Sequence, residues 1–413
     1  MNLVSSPASS HPLARYGWDT RVADAFAPYE DEGLVPARVV RVDRGRCDAV
    51  TADGIVRAST APVATDDPTR AVCTGDWAAL SVGSEPDSTE PDSTEPDGAG
   101  PGIFRPGGPD GSVTGSPGGP RPAGAERAPE VRALLPRRTA FVRSTASNRS
   151  EGQVLAANVD VALIAVSLAA ELELPRVERF VALAWTSGAR PLIVLTKSDL
   201  VADPATVAQL AADAAESAPG VDVLTVSAAR GEGLEALGAV LAGGTCVLLG
   251  QSGAGKSTLA NALLGEDVQD VRTVRDSDGK GRHTTTTRDL LPLPEAAGGG
   301  VLIDTPGLRG VGLWDAEAGV GSTFSEIEAL AEECRFHDCR HESEPDCAVL
   351  AAVDDGSLPQ RRLESYRKLL RENARIAART DARLRAEQKR RFKEMSAVGR
   401  HNAERKRGPR RKP

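Results

Sequence analysis

The chain has 413 residues, room for two to four domains, and 40% of them are hydrophobic, which is ample for a buried core. No apolar stretch reaches the roughly 18 residues that a transmembrane helix needs, so a membrane-spanning protein is not expected. The N-terminus lacks a basic region followed by an apolar one, so no secretory signal is predicted and the expected compartment is the cytoplasm.

The net charge of −8 conceals a strong asymmetry along the chain. Residues 361–413 contain 20 Lys and Arg against 6 Asp and Glu, a net +14, so the preceding 360 residues carry −22. A basic tail on an acidic protein favours contact with a polyanion such as nucleic acid. A solvated, partly disordered charged end would give the same composition, and that alternative stays open.

The first part of the chain predicts a small β-barrel. Residues 1–36 are expected to form a poorly ordered leader, and short β segments such as ARVVRV and GDWAALSV follow within residues 37–150. An insertion at 83–128, containing SEPDSTEPDSTEPDG and a Gly- and Pro-rich run, is expected to be disordered. The simplest account is a loop inserted in one β domain, and a linker between two units is the alternative.

Residues 151–323 predict an α/β domain. Near-continuous apolar strands alternate with helical segments, a pattern typical of a mostly parallel sheet covered on both faces. The predicted strands are 159–168, 191–199, 222–228, 245–250 and 300–307.

The tetrapeptide TKSD at the end of the second of these strands resembles the guanine-specific motif [NT]-K-x-D. The carboxylate of Asp199 can accept hydrogen bonds from guanine N1–H and N2–H₂, which adenine does not offer in that geometry. A helix cap is the simpler alternative, but the segment VSA, ending the next strand, is typical of the following base-contacting loop. The predicted base-contacting residues are Thr196, Lys197, Ser198, Asp199, Ser227 and Ala228.

The segment GQSGAGKS matches the phosphate-binding pattern G-x4-G-K-[ST], and it lies between a predicted strand and a predicted helix. Backbone N–H groups of such a loop cradle phosphates, and the helix N-terminus adds positive potential. Lys256 is expected to reach the β- and γ-phosphates and Ser257 to bind Mg²⁺. The predicted nucleotide-binding residues are Gly250, Gln251, Ser252, Gly253, Ala254, Gly255, Lys256, Ser257 and Thr258.

Two further sequence segments predict residues that bind magnesium and the γ-phosphate. DTPG at 304–307 fits the D-x-x-G motif, in which Asp304 holds Mg²⁺ through water and the Gly307 N–H contacts the γ-phosphate. The segment DGKGRHTTTT, at 278–287, is where a switch loop with a magnesium-binding threonine is expected. Thr285 is the first choice for that ligand and Thr286 the second.

Four residues near the C-terminus predict a closed Cys₃His zinc site: Cys334, Cys339, His341 and Cys347. His337 lies within the same loop and is not expected to bind the metal. Unpaired cysteines in a loop are the alternative. The other three cysteines (Cys47, Cys73 and Cys246) lie in apolar, strand-like segments and are predicted to be buried thiols. Residues 324–413 are thus a zinc-binding domain with a basic helical tail, its helix predicted from about Leu358 to Lys393.

The base motifs precede the phosphate loop, whereas standard GTPases place them after it. In this cyclic order the chain resembles the small-ribosomal-subunit-dependent, circularly permuted GTPases of bacterial ribosome maturation. The resemblance rests on LLPRRTAFVRS, QVLAANVD, TKSDL, GQSGAGKSTLANALLG, GRHTTTTRDL, DTPGL and the Cys/His cluster. It implies an N-terminal OB-fold barrel, a central permuted P-loop GTPase domain and a C-terminal zinc domain.

The resemblance also implies a function, namely GTP hydrolysis to GDP and phosphate on the small ribosomal subunit, late in its assembly. Leu308 follows DTPG where many GTPases have a water-orienting Gln, so slow intrinsic turnover is expected. His283 is a candidate for positioning water, with a solvated loop histidine as the alternative. Thr196 replaces a common Asn, which is expected to weaken hydrogen bonding between loops. A monomer is expected. The alternative functions are a nucleotide-gated RNA-binding protein with negligible turnover and a signalling GTPase with a protein partner.

Overall fold

The computed structural model describes residues 11–82, 128–144, 152–265, 288–304 and 316–380, except for the side chains at 144 and 377–380. Within these ranges no helix is long and apolar enough to cross a membrane. The chain forms a barrel, a central α/β layer and a C-terminal group of helices, in that order.

The segment 11–36, predicted to be poorly ordered, is folded, so the prediction was wrong for these residues. A helix, α1, spans Thr20–Glu30 and begins where the Asp19 carboxylate accepts the Val22 N–H at 2.9 Å. Val22 and Phe26, four residues apart on one helix face, are buried. The ring of Trp18 stands edge-on to Trp77 of the barrel at 5.4 Å, so the segment is held by packing against a distant part of the chain. Residues 1–10 lie outside the described ranges.

The predicted β-barrel is confirmed as a closed barrel of five strands in the order β1-β2-β3-β5-β4. The strands are β1 Val35–Asp43, β2 Arg46–Thr51, β3 Gly54–Ser59, β4 Trp77–Ser81 and β5 Glu130–Leu134. β4 and β5 pair antiparallel although the segment 83–128 separates them in sequence. That segment therefore connects two neighbouring strands of one barrel.

Arg38, on β1, joins the barrel to the rest of the molecule. Its guanidinium donates to the Tyr16 and Asn158 carbonyl oxygens at 3.4 and 3.2 Å, and to the Thr245 hydroxyl at 3.3 Å. The side chain is fully buried and lies over the Trp77 ring, and burial lowers its pKa to about 10. The group stays charged at neutral pH, so the interface between barrel and sheet contains a buried cation held by three acceptors.

The predicted α/β domain is confirmed. A two-stranded ribbon, β6 Ala140–Ser144 and β7 Gly152–Ala157, leads from the barrel into a six-stranded sheet, so it spans the boundary predicted at 150–151. The sheet order is β10-β9-β8-β11-β13-β12, parallel except for β12. The strands are β8 Val161–Ser167, β9 Arg190–Thr196, β10 Asp222–Val226, β11 Thr245–Leu249, β12 Asp289–Pro292 and β13 Val301–Asp304. Edge strand β12 was not predicted from the sequence.

Helices pack on both faces of this sheet and beyond it. The connecting helices are α2 Leu174–Ser187, α3 Pro204–Glu216, α4 Leu234–Leu241 and α5 Lys256–Leu264. The C-terminal helices are α6 Glu317–Thr323, α7 Ser325–Glu332, α8 Ala348–Asp354 and α9 Gln360–Thr380. α9 begins within the helix predicted from about Leu358, and the predicted part beyond 380 lies outside the described residues.

A buried ionic network fixes α9 to the central domain. Arg362 is 2% exposed and donates to Glu178 of α2 at 2.9 Å and to Glu326 of α7. Arg361 reaches the same Glu178 at 2.7 Å, and Arg179 forms a two-pronged pair with Glu372. Since the Glu178 carboxylate is fully buried, removing its partners would leave an uncompensated charge in the core. The first basic residues of the tail are thus structural.

Candidate functional site

The phosphate loop, residues 250–257, connects β11 to α5, as the sequence predicts. Gly250 has a φ of +135°, and a Cβ there would lie 2.4 Å from the Ala165 carbonyl oxygen. Gly253 and Gly255 have φ values of +81° and +80°. These are conformations that residues with a Cβ rarely adopt, so the glycine pattern follows from the turn itself. Ser257 and Thr258 lie exposed in the first turn of α5.

Lys256, the first residue of α5, folds back along the loop. Its Nζ donates to the Gly250 carbonyl oxygen at 2.8 Å and also contacts the carbonyl oxygen of Gln251. The loop thus holds the ammonium group over its own backbone, the place where a nucleotide phosphate approaches such a loop.

The base loop, residues 196–199, follows β9 at the same edge of the sheet. The Thr196 hydroxyl donates to the Ala254 carbonyl oxygen at 2.8 Å, and Lys197 Nζ donates to the Gly253 carbonyl oxygen at 2.8 Å. Thr196 therefore links the base loop directly to the phosphate loop, and the weakening of this link relative to Asn stays a prediction.

Asp199 and Ser227 meet although they follow different strands. Ser227 is fully buried and its hydroxyl donates to Asp199 Oδ1 at 2.7 Å. The two residues are brought together because β9 and β10 are adjacent and parallel. Ser198 and Ala228 lie beside them, half-buried. The bond fixes the rotamer of the carboxylate proposed to read the base.

Asp304 ends β13, next to β11, so its carboxylate lies at the edge from which the phosphate loop begins. Asp289 of β12 is its direct partner across the antiparallel pair. The other residues predicted for this side of the site (His283, Thr285, Thr286, Gly307 and Leu308) lie outside the described residues, and their roles stay predictions.

A cavity of about 220 Å³ lies beside the phosphate loop and was not predicted. It is lined by the first half of the loop, from Gln251 to Ala254, by Lys197, and by Val177 and Phe180 of α2. Asp199, Ser227 and Ser257 do not line it. The cavity thus adjoins both loops, through Lys197 and residues 251–254, and lies apart from Asp199 and Ser227.

The barrel also reaches this side of the sheet, a contact that the sequence did not predict. Arg41 Nε of β1 lies 3.1 Å from Asp289 Oδ1, and the Thr74 hydroxyl donates to the Arg288 carbonyl oxygen at 3.0 Å. More than two hundred residues separate the partners in each pair, and neither carries a local motif. Only the folded arrangement reveals them.

The four predicted metal ligands come together. Their ligand atoms lie within 4.8 Å of one another, with Cys334 Sγ 3.8 Å from Cys347 Sγ. His341 Nδ1 lies 3.6 and 3.4 Å from these two sulfur atoms. Tetrahedral zinc, with Zn–S of about 2.3 Å and Zn–N of about 2.0–2.1 Å, requires S···S and S···N separations of about 3.8 and 3.5 Å. The donor set and its spacing are therefore compatible with zinc.

The surroundings of the cluster suit a metal site as well. Burial lowers the pKa of His341, which favours the neutral imidazole that a metal ion needs. Two side-chain N–H groups of Arg367, on α9, are buried without a protein acceptor, and the Arg367 charge acts on His341. Three thiolates and one Zn²⁺ carry a net charge of −1. The positive charge of Arg367 would therefore complement a zinc-loaded site. The remaining cysteines, Cys47, Cys73 and Cys246, are buried thiols, as predicted.

The phosphate loop, the base loop and the strand that leads into D-x-x-G all end at one edge of the sheet, and the base loop comes first in the chain. This arrangement defines a circularly permuted P-loop GTPase. A family model described as RsgA GTPase matches residues 134–314. The chain is 61% identical over 408 residues to a Streptomyces coelicolor protein described as small ribosomal subunit biogenesis GTPase RsgA, covering 99% of each chain.

Two solved structures share the fold. The crystal structure of YjeQ from Thermotoga maritima aligns with a TM-score of 0.54 and 21% identity, over 82% of this chain and 98% of that one. The structure of YloQ, described as a circularly permuted GTPase, aligns with a TM-score of 0.52 and 20% identity, over 82% and 95% of the two chains. The chain belongs to the RsgA family of small ribosomal subunit biogenesis GTPases, and it is a GTP hydrolase.

Proposed function

We propose that this protein binds GTP with Mg²⁺, hydrolyses it slowly alone and faster on the small ribosomal subunit, and acts late in the maturation of that subunit. The observation that carries the proposal is the hydrogen-bonded junction of the base loop and the phosphate loop at one edge of the sheet. Thr196 and Lys197 donate to Ala254 and Gly253, so the two loops form one binding surface.

Each described residue has a role that its position supports. Asp199, oriented by Ser227, accepts hydrogen bonds from guanine N1–H and N2–H₂, and the backbone at Ala228 donates to guanine O6. Lys197 lies along the base and ribose. Lys256 exchanges its loop carbonyls for the β- and γ-phosphate oxygens. Such preorganised donors and cations are the main source of catalysis in phosphoryl transfer.

Magnesium, when bound, would supply positive charge that offsets the negative charge developing on the phosphates. Ser257 and Asp304 would hold it, the first through its hydroxyl and the second through water, with Thr285 as the proposed ligand from the switch segment. Gly307 contacts the γ-phosphate and His283 positions the attacking water in the same proposal. The Cys₃His cluster would hold one structural zinc ion, which stabilises a short loop with little core of its own.

The partner surface combines the barrel with the basic tail. β-Barrels of this size and basic helices both suit rRNA, because phosphates attract Lys and Arg without a base-specific fit. On α9, Lys368, Arg371 and Arg375 are exposed, whereas Arg361 and Arg362 are used in the contact with α2. We propose a cytoplasmic monomer that uses the exposed set for RNA.

The test is GTP hydrolysis by the full chain with and without purified small ribosomal subunits. The proposal requires release of phosphate that rises steeply with added subunits. A protein that binds subunits in a GTP-dependent way without accelerated phosphate release would instead be a nucleotide-gated RNA-binding protein. Large subunits serve as the matched control for non-specific rRNA, and they should not stimulate.

A further inference from the structure

The barrel contacts the central sheet where the chain enters β12. The Thr74 hydroxyl donates to the Arg288 carbonyl oxygen, and the Thr74 carbonyl oxygen accepts the Ala157 N–H at 3.1 Å. Beside it, Arg41 Nε lies 3.1 Å from Asp289 Oδ1, with the two side chains 28% and 29% exposed. The barrel strand β1 is thus seated on the edge strand of the nucleotide-binding sheet.

Asp289 occupies a sensitive position in that strand. It is the direct register partner of Asp304, the proposed magnesium carboxylate. Side chains directly opposite one another on antiparallel strands lie on the same face, with Cβ atoms about 4.5–5.5 Å apart. A second carboxylate therefore stands beside the one proposed to hold the metal. Each unit of charge at such a separation contributes to the potential that a divalent cation experiences.

Arg41 brings the opposing charge. The Nε N–H group is buried and has no hydrogen-bond acceptor, although the Asp289 carboxylate is near, so the contact is electrostatic and poorly aligned. A partly buried ion pair is screened less by solvent and salt than an exposed one. The cation is supplied by the barrel, whereas both carboxylates belong to the central sheet.

We propose that Arg41 is a positioning residue of the nucleotide site. By holding and partly neutralising Asp289, it sets the negative charge that surrounds Mg²⁺ at Asp304, and with it the magnesium affinity of the nucleotide complex. The inference rests on the proposed function, in which Asp304 holds the metal through water. It makes the barrel an electrostatic part of the GTPase site.

The experiment uses the full chain loaded with a fluorescent GDP analogue, whose rate of release is measured across a magnesium titration. Arg41→Gln removes the positive charge beside Asp289, so the half-maximal Mg²⁺ concentration should fall by about two- to fivefold. Asp289→Asn removes negative charge, so that concentration should rise by a similar factor. The double variant should return close to the wild-type value, and Arg41→Lys, which keeps the charge, should stay there.

The two single variants are expected to shift the magnesium titration in opposite directions, and this distinguishes an electrostatic role of Arg41 from a structural one. If the pair only held the barrel in place, both single variants would loosen the same contact and shift the titration in the same direction, which would overturn the inference. The matched control is the ion pair of Arg57 and Asp48 within the barrel, at 2.7 Å. Arg57→Gln and Asp48→Asn should leave the magnesium titration unchanged, and a shift of the same size there would also overturn it.

Asp304→Asn distinguishes a failure of the inference from a failure of the proposed site. It should raise the half-maximal Mg²⁺ concentration by about tenfold or more. If it does and the Arg41 and Asp289 variants do not move in opposite directions, the role of Arg41 is wrong while the site stands. If Asp304→Asn has no effect, the magnesium site is misassigned and the inference falls with it.

Discussion

The Thr196 hydroxyl donates a 2.8 Å hydrogen bond to the Ala254 carbonyl oxygen and thereby joins the base loop to the phosphate loop. Thr196 is 4% exposed, so the bond is shielded from water. The permuted order of the chain places these loops 58 residues apart with the base loop first, yet the link is made directly by one side chain. A rigid distance between base and phosphate sites favours a nucleotide that spans both.

Thr196→Val should weaken GTP and GDP binding by about fivefold, because it replaces the hydroxyl with a methyl group of similar size and removes one hydrogen bond of about 1 kcal/mol. Titration of a fluorescent guanine nucleotide measures the effect. Thr196→Ser keeps the hydroxyl and is the matched control, with an affinity near that of the wild type. Equal affinities for the Val and Ser variants would show that the bond does not support binding.

Asp199→Asn should weaken GTP binding by at least about tenfold and shift preference toward xanthosine triphosphate. The amide presents a donor where guanine also presents one, whereas xanthine has an acceptor there. Competition between the two nucleotides for the same fluorescent analogue measures the preference. Asp203→Asn is a suitable control, since Asp203 caps α3 by accepting from the Ala205 and Thr206 N–H groups and from the Thr206 hydroxyl. Unchanged GTP affinity in Asp199→Asn would remove this residue from the base site.

Lys256→Ala should reduce GTP hydrolysis by roughly a hundredfold or more while leaving the fold intact. The variant removes the phosphate-facing cation but keeps every glycine that shapes the loop. Phosphate release under saturating GTP, with and without small subunits, is the measurement, and circular dichroism verifies the fold. Normal turnover in this variant would show that the phosphate site is elsewhere.

Sequence patterns correctly placed the phosphate loop, Asp199 and Ser227 at the ends of strands in the central sheet. Asp199 and Ser227 could be paired in advance because consecutive parallel strands bring their ends together, and the Cys/His spacing gave the metal cluster. Helix α1 was missed because its buried apolar residues, Val22 and Phe26, are few. The ring of Trp18, which contacts Phe26, packs on Trp77, and Trp77 lies far along the chain. The contact of Arg41 with Asp289 was missed for a similar reason, since a single ion pair between distant residues leaves no local pattern.

Cys339→Ser should lose bound zinc and lower the melting temperature of the C-terminal helices, with guanine nucleotide affinity within about twofold of the wild type. One thiolate of a four-ligand site is removed, and metal binding contributes directly to the folding of such segments. Elemental analysis counts the zinc, and Cys246→Ser, at a buried thiol remote from the cluster in sequence, is the control. A full zinc complement in Cys339→Ser would exclude this residue as a ligand.

The last prediction concerns the basic tail and where to truncate it. A deletion from residue 361 would remove Arg361 and Arg362, which pair with the buried Glu178, and breaking such a pair costs about 3–5 kcal/mol. Loss of function in that variant would not distinguish a lost RNA contact from a destabilised fold. Removing residues 381–413 keeps the network and still takes away 13 Lys and Arg against 4 Asp and Glu, a net +9.

The protein without residues 381–413 should bind small subunits more weakly and with a flatter salt dependence, because each phosphate neutralised by a Lys or Arg adds about 0.7–0.9 to the slope of log affinity against log salt. Loss of only four such contacts would lower the slope by about 3. Basal nucleotide binding should persist, since Lys256, Asp199 and Asp304 lie upstream, and subunit-stimulated hydrolysis should fall. A Gly/Ser tail of equal length is the control for chain length and should behave like the truncation. If full-length and truncated proteins share one slope and one affinity, the barrel supplies the RNA contact and the tail is a solvated charged end.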